Sequence, residues 1–177
     1  YVEFQNNSGD AKVVIDPNNG HISASGTIRG REIHIVNTAF KDDLNTDEIF
    51  VPWNSTTENA AVANLNVPII MPCAGKVLKV LYRSNADNSG VTATWRLRTV
   101  ANNETITLGH AGIVGTTTCT GPNTGSVATA DFTGVSSNEF NAEDLIYISI
   151  QNGGDVGGEI IYWVTLVLEL HYDTLGY

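Results

Sequence analysis

The sequence is poor in the residues that mark several large classes of protein. Of its 177 residues only 9 are Lys or Arg, against 19 Asp or Glu, so the formal net charge is −10. Sites for nucleic acid or for an anionic membrane surface gain affinity from clustered cations, and we therefore predict neither partner. The longest apolar run, residues 160–168, is interrupted by Thr165 and is too short to span a bilayer, which predicts no membrane insertion.

Cysteine is also scarce. Cys73 and Cys119 are the two cysteines, and neither has a second cysteine or a histidine at the spacing of a zinc site. We expect either two partly buried thiols or one disulfide that joins two strands, and the sequence leaves both open. The chain begins at Tyr1 rather than Met and shows no signal peptide, so it also leaves open whether residues precede it.

Motifs that carry catalysis are missing as well. No Gly-x-Ser-x-Gly motif occurs, and no histidine stands in a recognisable nucleophile arrangement. Glu143 and Asp144 are adjacent, so on a strand they would face opposite ways and would not act as a pair of catalytic carboxylates. We predict a protein that is not an enzyme and that needs no cofactor and no metal.

The acidic run from Asp42 to Glu48 comes nearest to a metal site. Its spacing Asp43-x-Asn45-x-Asp47 matches the opening of an EF-hand loop. However, Glu48 stands where that loop has Gly, and Asn54 stands where it has Glu. A solvated connector is the favoured interpretation.

What the sequence does contain is strand chemistry: short runs rich in Val, Ile, Thr, Tyr and Trp, separated by Asn, Gly, Asp and Ser. In the clearest run, which begins at Ile160, every second residue as far as Tyr172 is apolar, as in a long strand that covers a core. In residues 92–100, Trp95 falls on the apolar side and is predicted to lie in the core. Eight strands are predicted, at residues 48–53, 66–72, 76–84, 92–100, 104–108, 126–132, 145–151 and 160–172.

This pattern predicts an all-β protein whose head is an eight-stranded, jelly-roll-like antiparallel β-sandwich. The first forty residues add short β segments at 12–16, 21–25 and 32–40, with too few large apolar side chains to fold alone. We therefore predict a β shaft or trimerisation arm over residues 1–40, a connector over 41–47 and the sandwich head over 48–177. In the arm, Ile33 and Ile35 would face an axis shared by three chains.

Three segments of the sequence resemble known proteins. Residues 15–30, IDPNNGHISASGTIRG, resemble the end of a bacteriophage tail-fibre shaft, in which such segments wind three chains around one another. Residues 49–59 and 70–80 resemble β-sandwich head domains in virion proteins of marine phages. A late turn of those heads, Phe-Asn-Ala-Gly-Asp, stands here at residues 140–144 with Glu143 in place of Gly. The resemblance implies a homotrimeric virion protein of fibre or spike type, and it implies no catalytic residue and no particular receptor.

Together these observations predict a non-enzymatic virion protein, the tip of a trimeric fibre or spike whose head binds a host-cell glycan or protein. Two alternatives stay open: a capsid decoration or head-fibre protein that contacts other virion proteins without binding a receptor, and a cell-surface carbohydrate-binding module or adhesin. For partner binding we predict the polar segment 116–125 as a loop at one end of the sandwich. Its candidate contact residues are Thr116, Thr117, Thr118, Thr120, Asn123 and Thr124.

Overall fold

The computed structural model describes residues 2–5, 11–16, 21–24, 31–43, 46–56, 68–104 and 112–171, and these segments form thirteen β-strands. The first three strands make an antiparallel sheet of their own: β1 (Val2–Gln5), β2 (Ala11–Asp16) and β3 (His21–Ala24). The described residues contain no helix, and hence none that is suited to crossing a membrane.

The ten later strands form two antiparallel sheets. They are β4 (Arg31–Asp42), β5 (Ile49–Phe50), β6 (Ile69–Ile70), β7 (Gly75–Ser84), β8 (Thr92–Val100), β9 (Gly112–Thr120), β10 (Ala128–Asp131), β11 (Glu139–Phe140), β12 (Leu145–Asn152) and β13 (Ile160–His171). Sheet I has the order β10-β7-β13-β4, with the short β11 also paired to β7. Sheet II has the order β5-β12-β8-β9, with the short β6 also paired to β12.

The eight main strands pair in a nested order. β4 pairs with β13, β5 with β12, β7 with β10 and β8 with β9, and each of these pairs is antiparallel. The chain from β4 to β13 is therefore one long hairpin rolled into two facing sheets, which is the jelly-roll arrangement. The prediction of an all-β, jelly-roll-like antiparallel sandwich is confirmed.

The sandwich begins earlier in the chain than residue 48. β4 pairs with β13 along its whole length, from Arg31 opposite His171 to Asp42 opposite Ile160. Phe40 on this strand is buried in the core of the sandwich, which explains why the strand joins the head. The segment expected at 32–40 in the arm, together with the first two residues of the expected connector, is thus the edge strand of sheet I. A role for residues 1–30 as a trimerisation arm stays a prediction.

The other strand bounds follow the sequence pattern to different degrees. β8 has the predicted bounds, and β7, β12 and β13 differ from the prediction by one residue at one end. β5, β6 and β10 are shorter than predicted, while most of the strand predicted at 104–108 lies outside the described residues. β9, β11 and the pairing of β4 with the head are findings of the structure alone.

Trp95 lies at the centre of the core between the two sheets. Its side chain is 0% exposed, and its ring centroid is 4.9 Å from that of Tyr82 on the opposite sheet. The prediction that Trp95 faces the core is confirmed. The other large side chains that are fully buried are Leu97, Phe132, Ile146, Tyr147, Ile148, Ile150, Tyr162, Leu166, Leu168 and Val51.

Candidate functional site

The six residues predicted to form a partner-binding loop are split between a strand and a turn. Thr116, Thr117, Thr118 and Thr120 belong to β9, the edge strand of sheet II, and pair with β8. The expected loop is therefore wrong for this part, because a run of β-branched threonines suits an extended, half-covered strand. Thr117 is half-buried opposite Trp95, whereas the other three threonines are exposed on the outer side of the sheet. Whether any of them binds a partner stays a prediction.

Asn123 and Thr124 do lie in a turn at one end of the sandwich. Both are exposed, and the turn is closed by a hydrogen bond from the Ser126 amide to the Asn123 carbonyl, 2.9 Å long. Gly125 has a φ of 83°, a left-handed conformation that favours glycine. A Cβ at that position would lie 3.7 Å from the guanidinium of Arg83, so the turn borders the outer face of sheet I.

That outer face of sheet I collects most of the exposed apolar side chains. Of seven large hydrophobic side chains that are exposed among the described residues, five lie on this face: Ile33, Ile35, Val127, Ile161 and Trp163. Trp163 is 45% exposed, and Ile35, which was predicted to face a shared axis, is 56% exposed. Single exposed apolar residues are ordinary on protein surfaces, whereas five on one face of a sheet make that face a candidate contact surface.

The same face also collects the cations. Five of the seven Lys and Arg whose side chains are described lie on it: Arg31, Lys41, Lys76, Lys79 and Arg83. Glu169 contacts Arg31 at 3.2 Å and Lys76 at 3.4 Å, and Lys41 pairs with Glu159. Within the described part of the chain, Lys79 and Arg83 form no ion pair within 4.0 Å, although Asp131 stands opposite Lys79 on β10.

A shallow groove of about 170 Å³ runs along this face beside Trp163. Its walls are Leu81, Tyr82, Arg83, Val127, Trp163 and Thr165. The groove combines an indole, a guanidinium and a hydroxyl at the surface, but it is open and small. It suits a contact with a protein surface better than the enclosure of a small ligand.

On the outer face of sheet II, charged side chains pair with one another. Glu48 accepts a forked pair of hydrogen bonds from Arg98, with Nη2 at 2.8 Å from Oε2 and Nε at 3.1 Å from Oε1. The hydroxyl of Ser149 donates to the same carboxylate, and the Arg96 guanidinium lies 3.6 Å from it. Glu48, the last residue of the EF-hand-like run, is thus used to neutralise two arginines.

An aromatic pair lies next to this charged cluster. Tyr147 is fully buried although it lies on the outer side of sheet II, and its ring packs edge-on against Phe50 at 6.2 Å. Arg98 lies over the Phe50 ring, 5.7 Å from its centroid. Burial raises the pKa of the Tyr147 hydroxyl, which therefore stays neutral.

The described residues offer no site for a metal. They contain no group of three or more His, Cys, Asp or Glu side chains placed to hold an ion. His34 lines a cavity of about 120 Å³ whose other walls are largely apolar, and His171 is hydrogen-bonded to Glu169. Asn45 and the side chain of His21 lie outside the described residues.

Both cysteines are free thiols, so the disulfide alternative does not hold. Cys73 is buried, and the sulfur of Cys119 lies 3.8 Å from the hydroxyl of Tyr82 inside the sandwich. Burial raises the pKa of both thiols, which makes them poor nucleophiles at neutral pH. Sequence reasoning missed the apolar and cationic face because its residues come from four strands that are distant in the chain.

The sequence matches no family model and no curated protein. Among solved structures, it is similar to a chain of T=1 particles derived from infectious bursal disease virus, at 12% identity and a TM-score of 0.45, over 91% of this chain and 36% of that one. It is also similar to a chain of the cyanophage Pam1 capsid asymmetric unit, at 14% identity and a TM-score of 0.37, over 88% and 96%. A third is Eiger TNF from S. frugiperda, at 11% identity and a TM-score of 0.33, over 74% and 91%. The chain spans about a third of the length of the bursal disease virus chain, and likenesses this distant carry no conclusion about function.

Proposed function

We propose that this chain is a non-enzymatic structural protein of a virion and that it works as a homotrimer. The observation that carries the proposal is the outer face of sheet I, which is apolar and cationic in an otherwise acidic chain. Such a face is suited to being covered by another protein surface. The structural proteins of a particle are held together by contacts of this kind. The shaft-like sequence at residues 15–30 supports the same conclusion.

The turn at residues 140–144 adds support to the resemblance with virion head domains. In those heads Gly is usual at the fourth position of the turn, and Gly adopts a positive φ without a steric cost. Glu143 occupies that position here with a φ of 66°. The turn therefore keeps a residue with a positive φ at this position, although Glu replaces Gly.

In the finer form of the proposal, the chain is the tip of a fibre or spike and its head attaches to a host-cell glycan or protein. The turn with Asn123 and Thr124 lies at the same end of the sandwich as the loops at 85–91 and 153–159, which would form the attachment surface. Three such surfaces on one trimer would raise the avidity without any new contact.

A second candidate function is capsid decoration, and one observation favours it. Five exposed apolar side chains lie on the outer face of sheet I, and the groove on that face is shallow and open. An open face of this kind is suited to another folded protein rather than to a glycan chain. In this case the head would stabilise the shell and would contact other virion proteins without a receptor.

Two measurements test the proposal. Particles of a virus that encodes this chain should be purified, and their proteins counted by quantitative mass spectrometry. We expect the chain in a copy number divisible by three, whereas absence from washed particles would contradict a virion role. Antibodies against the head that block adsorption would favour the fibre tip, and antibodies that bind intact particles without blocking adsorption would favour capsid decoration.

A further inference from the structure

We infer that the outer face of sheet I is the contact surface between copies of this chain, and that it meets an acidic surface of the next copy. The inference rests on the homotrimer of the proposed function and assigns its interface to the sandwich. The apolar pair Ile33 and Ile35, expected in a shaft, lies on the same face as Trp163.

The size of the face fits a stable protein contact. β13 has 12 residues, which at about 3.3 Å per residue gives a length of about 40 Å. Three long strands, β4, β13 and β7, spaced by about 4.8 Å, then cover about 550 Å². With β10 and the flanking side chains the area approaches the roughly 800 Å² per partner of an ordinary specific interface.

The charge of the face indicates which kind of surface it binds. Five cations and the carboxylates of Asp131, Glu139, Glu159 and Glu169 give the face a net charge of +1. Since the whole chain carries −10, the rest of it carries −11. Two copies packed face to face would bring like charges together, whereas a face packed on the remaining surface would bring opposite charges together.

This charge asymmetry also determines the type of assembly. A twofold dimer uses the same surface on both copies, and here both copies of that surface would carry a net positive charge. A contact between two different surfaces repeats from copy to copy and closes into a ring when the rotation allows, as in a trimer. The exposed carboxylates available as the second surface are Glu104 and Glu143, at the end of the sandwich opposite the proposed attachment loops.

The test uses the full chain and single substitutions on the face. Trp163→Ala and Arg83→Glu should each raise the dissociation constant of the oligomer at least about tenfold, measured by sedimentation equilibrium, because Trp and Arg dominate most interfaces. Ile35→Ala should weaken the oligomer too, and Ile113→Ala is its matched control. Ile113 is 51% exposed on the edge of sheet II, away from the face. Added salt should weaken the wild-type oligomer, and circular dichroism should show that every variant is folded.

A second measurement identifies the partner surface. Chains labelled with ¹⁴N and ¹⁵N are mixed and joined with a carbodiimide, which links Lys to Asp or Glu without a spacer. We expect links between Lys79 of one copy and an end-loop carboxylate of another.

Each outcome bears on a different claim. An oligomer that the face variants leave intact would overturn the inference while the homotrimer stands. Links from Lys79 to Asp131 of another copy would indicate a face-to-face contact and would contradict the acidic partner surface. A wild-type chain that is monomeric at micromolar concentration would contradict the homotrimer itself.

Discussion

Trp163 on β13 and Arg83 on β7 are direct cross-strand partners on the outer face of sheet I. Opposed side chains in an antiparallel pair have Cβ atoms about 4.5–5.5 Å apart, so the half-exposed indole and the guanidinium are neighbours. The same register places Thr165 opposite Leu81 and Val167 opposite Lys79, which mixes apolar and cationic groups along the face. This mixture is the basis of the proposed assembly.

The buried Trp95 should be essential for stability. We expect Trp95→Ala to lower the free energy of unfolding by about 3–5 kcal/mol, because a large core ring is replaced by a cavity. The change is measured by urea denaturation followed by circular dichroism. Trp163→Ala is the control, and on a dilute sample it should change the midpoint little. An unchanged midpoint for the Trp95 variant would mean that β8 faces the other way.

The charged cluster on sheet II should also contribute to stability. We expect Glu48→Ala to cost about 1–3 kcal/mol, because it leaves Arg98 and Arg96 half-buried without their carboxylate. Lys41→Ala removes an ion pair whose two side chains are both more than half exposed, so its effect should be close to zero. Equal effects of the two substitutions in urea denaturation would show that the Glu48 cluster contributes no more stability than an exposed ion pair.

The left-handed backbone at Glu143 predicts a stabilising substitution. We expect Glu143→Gly to raise the free energy of unfolding by about 1 kcal/mol, because Gly adopts a positive φ without a steric cost. Glu143→Ala, which loses the same carboxylate but keeps the Cβ, is the matched control and should not stabilise. If both variants lower the urea midpoint, the hydrogen bond of Glu143 with Asn102 matters more than backbone strain.

Acid should destabilise the fold partly through Glu169. The hydrogen bond with His171, and then Lys76 and Arg31, hold the pKa of this carboxyl below its usual value of 4.5. A carboxyl with a lowered pKa in the folded state stabilises the fold above its usual pKa, and this stability is lost as the pH falls through the lower value. We therefore expect the urea midpoint to drop below pH 4.5 and to drop less in Glu169→Gln. Glu159→Gln, in an exposed pair, should keep the full drop.

The predicted partner-binding residues can be tested without removing a strand. Asn123 and Thr124 changed together to Ala should reduce adsorption of the particle to host cells if the end of the sandwich binds the receptor. Changing Thr116, Thr118 and Thr120 together to Ala tests the exposed side of β9 in the same assay. Undiminished adsorption with both variants, in particles that assemble normally, would remove these residues from the binding site and would favour capsid decoration.

The sequence predicted those strands whose burial is periodic. In β8, Ala93, Trp95 and Leu97 alternate with polar residues, and both the bounds and the buried side were found as expected. β9 was missed because an edge strand needs few large apolar residues: its inner side includes Gly115 and Thr117. The run of β-branched threonines was the signal that would have predicted it.

The periodicity of the sequence could not predict which distant strands pair with each other. The segment of β4 was predicted to be extended, but the pattern of Ile33 and Ile35 does not say which strand pairs with it. Only the register with β13 reveals that these residues share a face with Trp163 and Arg83. The candidate interface therefore became visible with the fold and not before it, since a sheet face is assembled from distant strands.

The most direct test of the virion role is a cryo-electron microscopy reconstruction of particles that carry this chain. We expect jelly-roll densities in groups of three on the particle surface, with the outer face of sheet I covered by a neighbouring copy. Particles that lack any such density, while the chain is found in another compartment of the infected cell, would contradict a structural role in the virion.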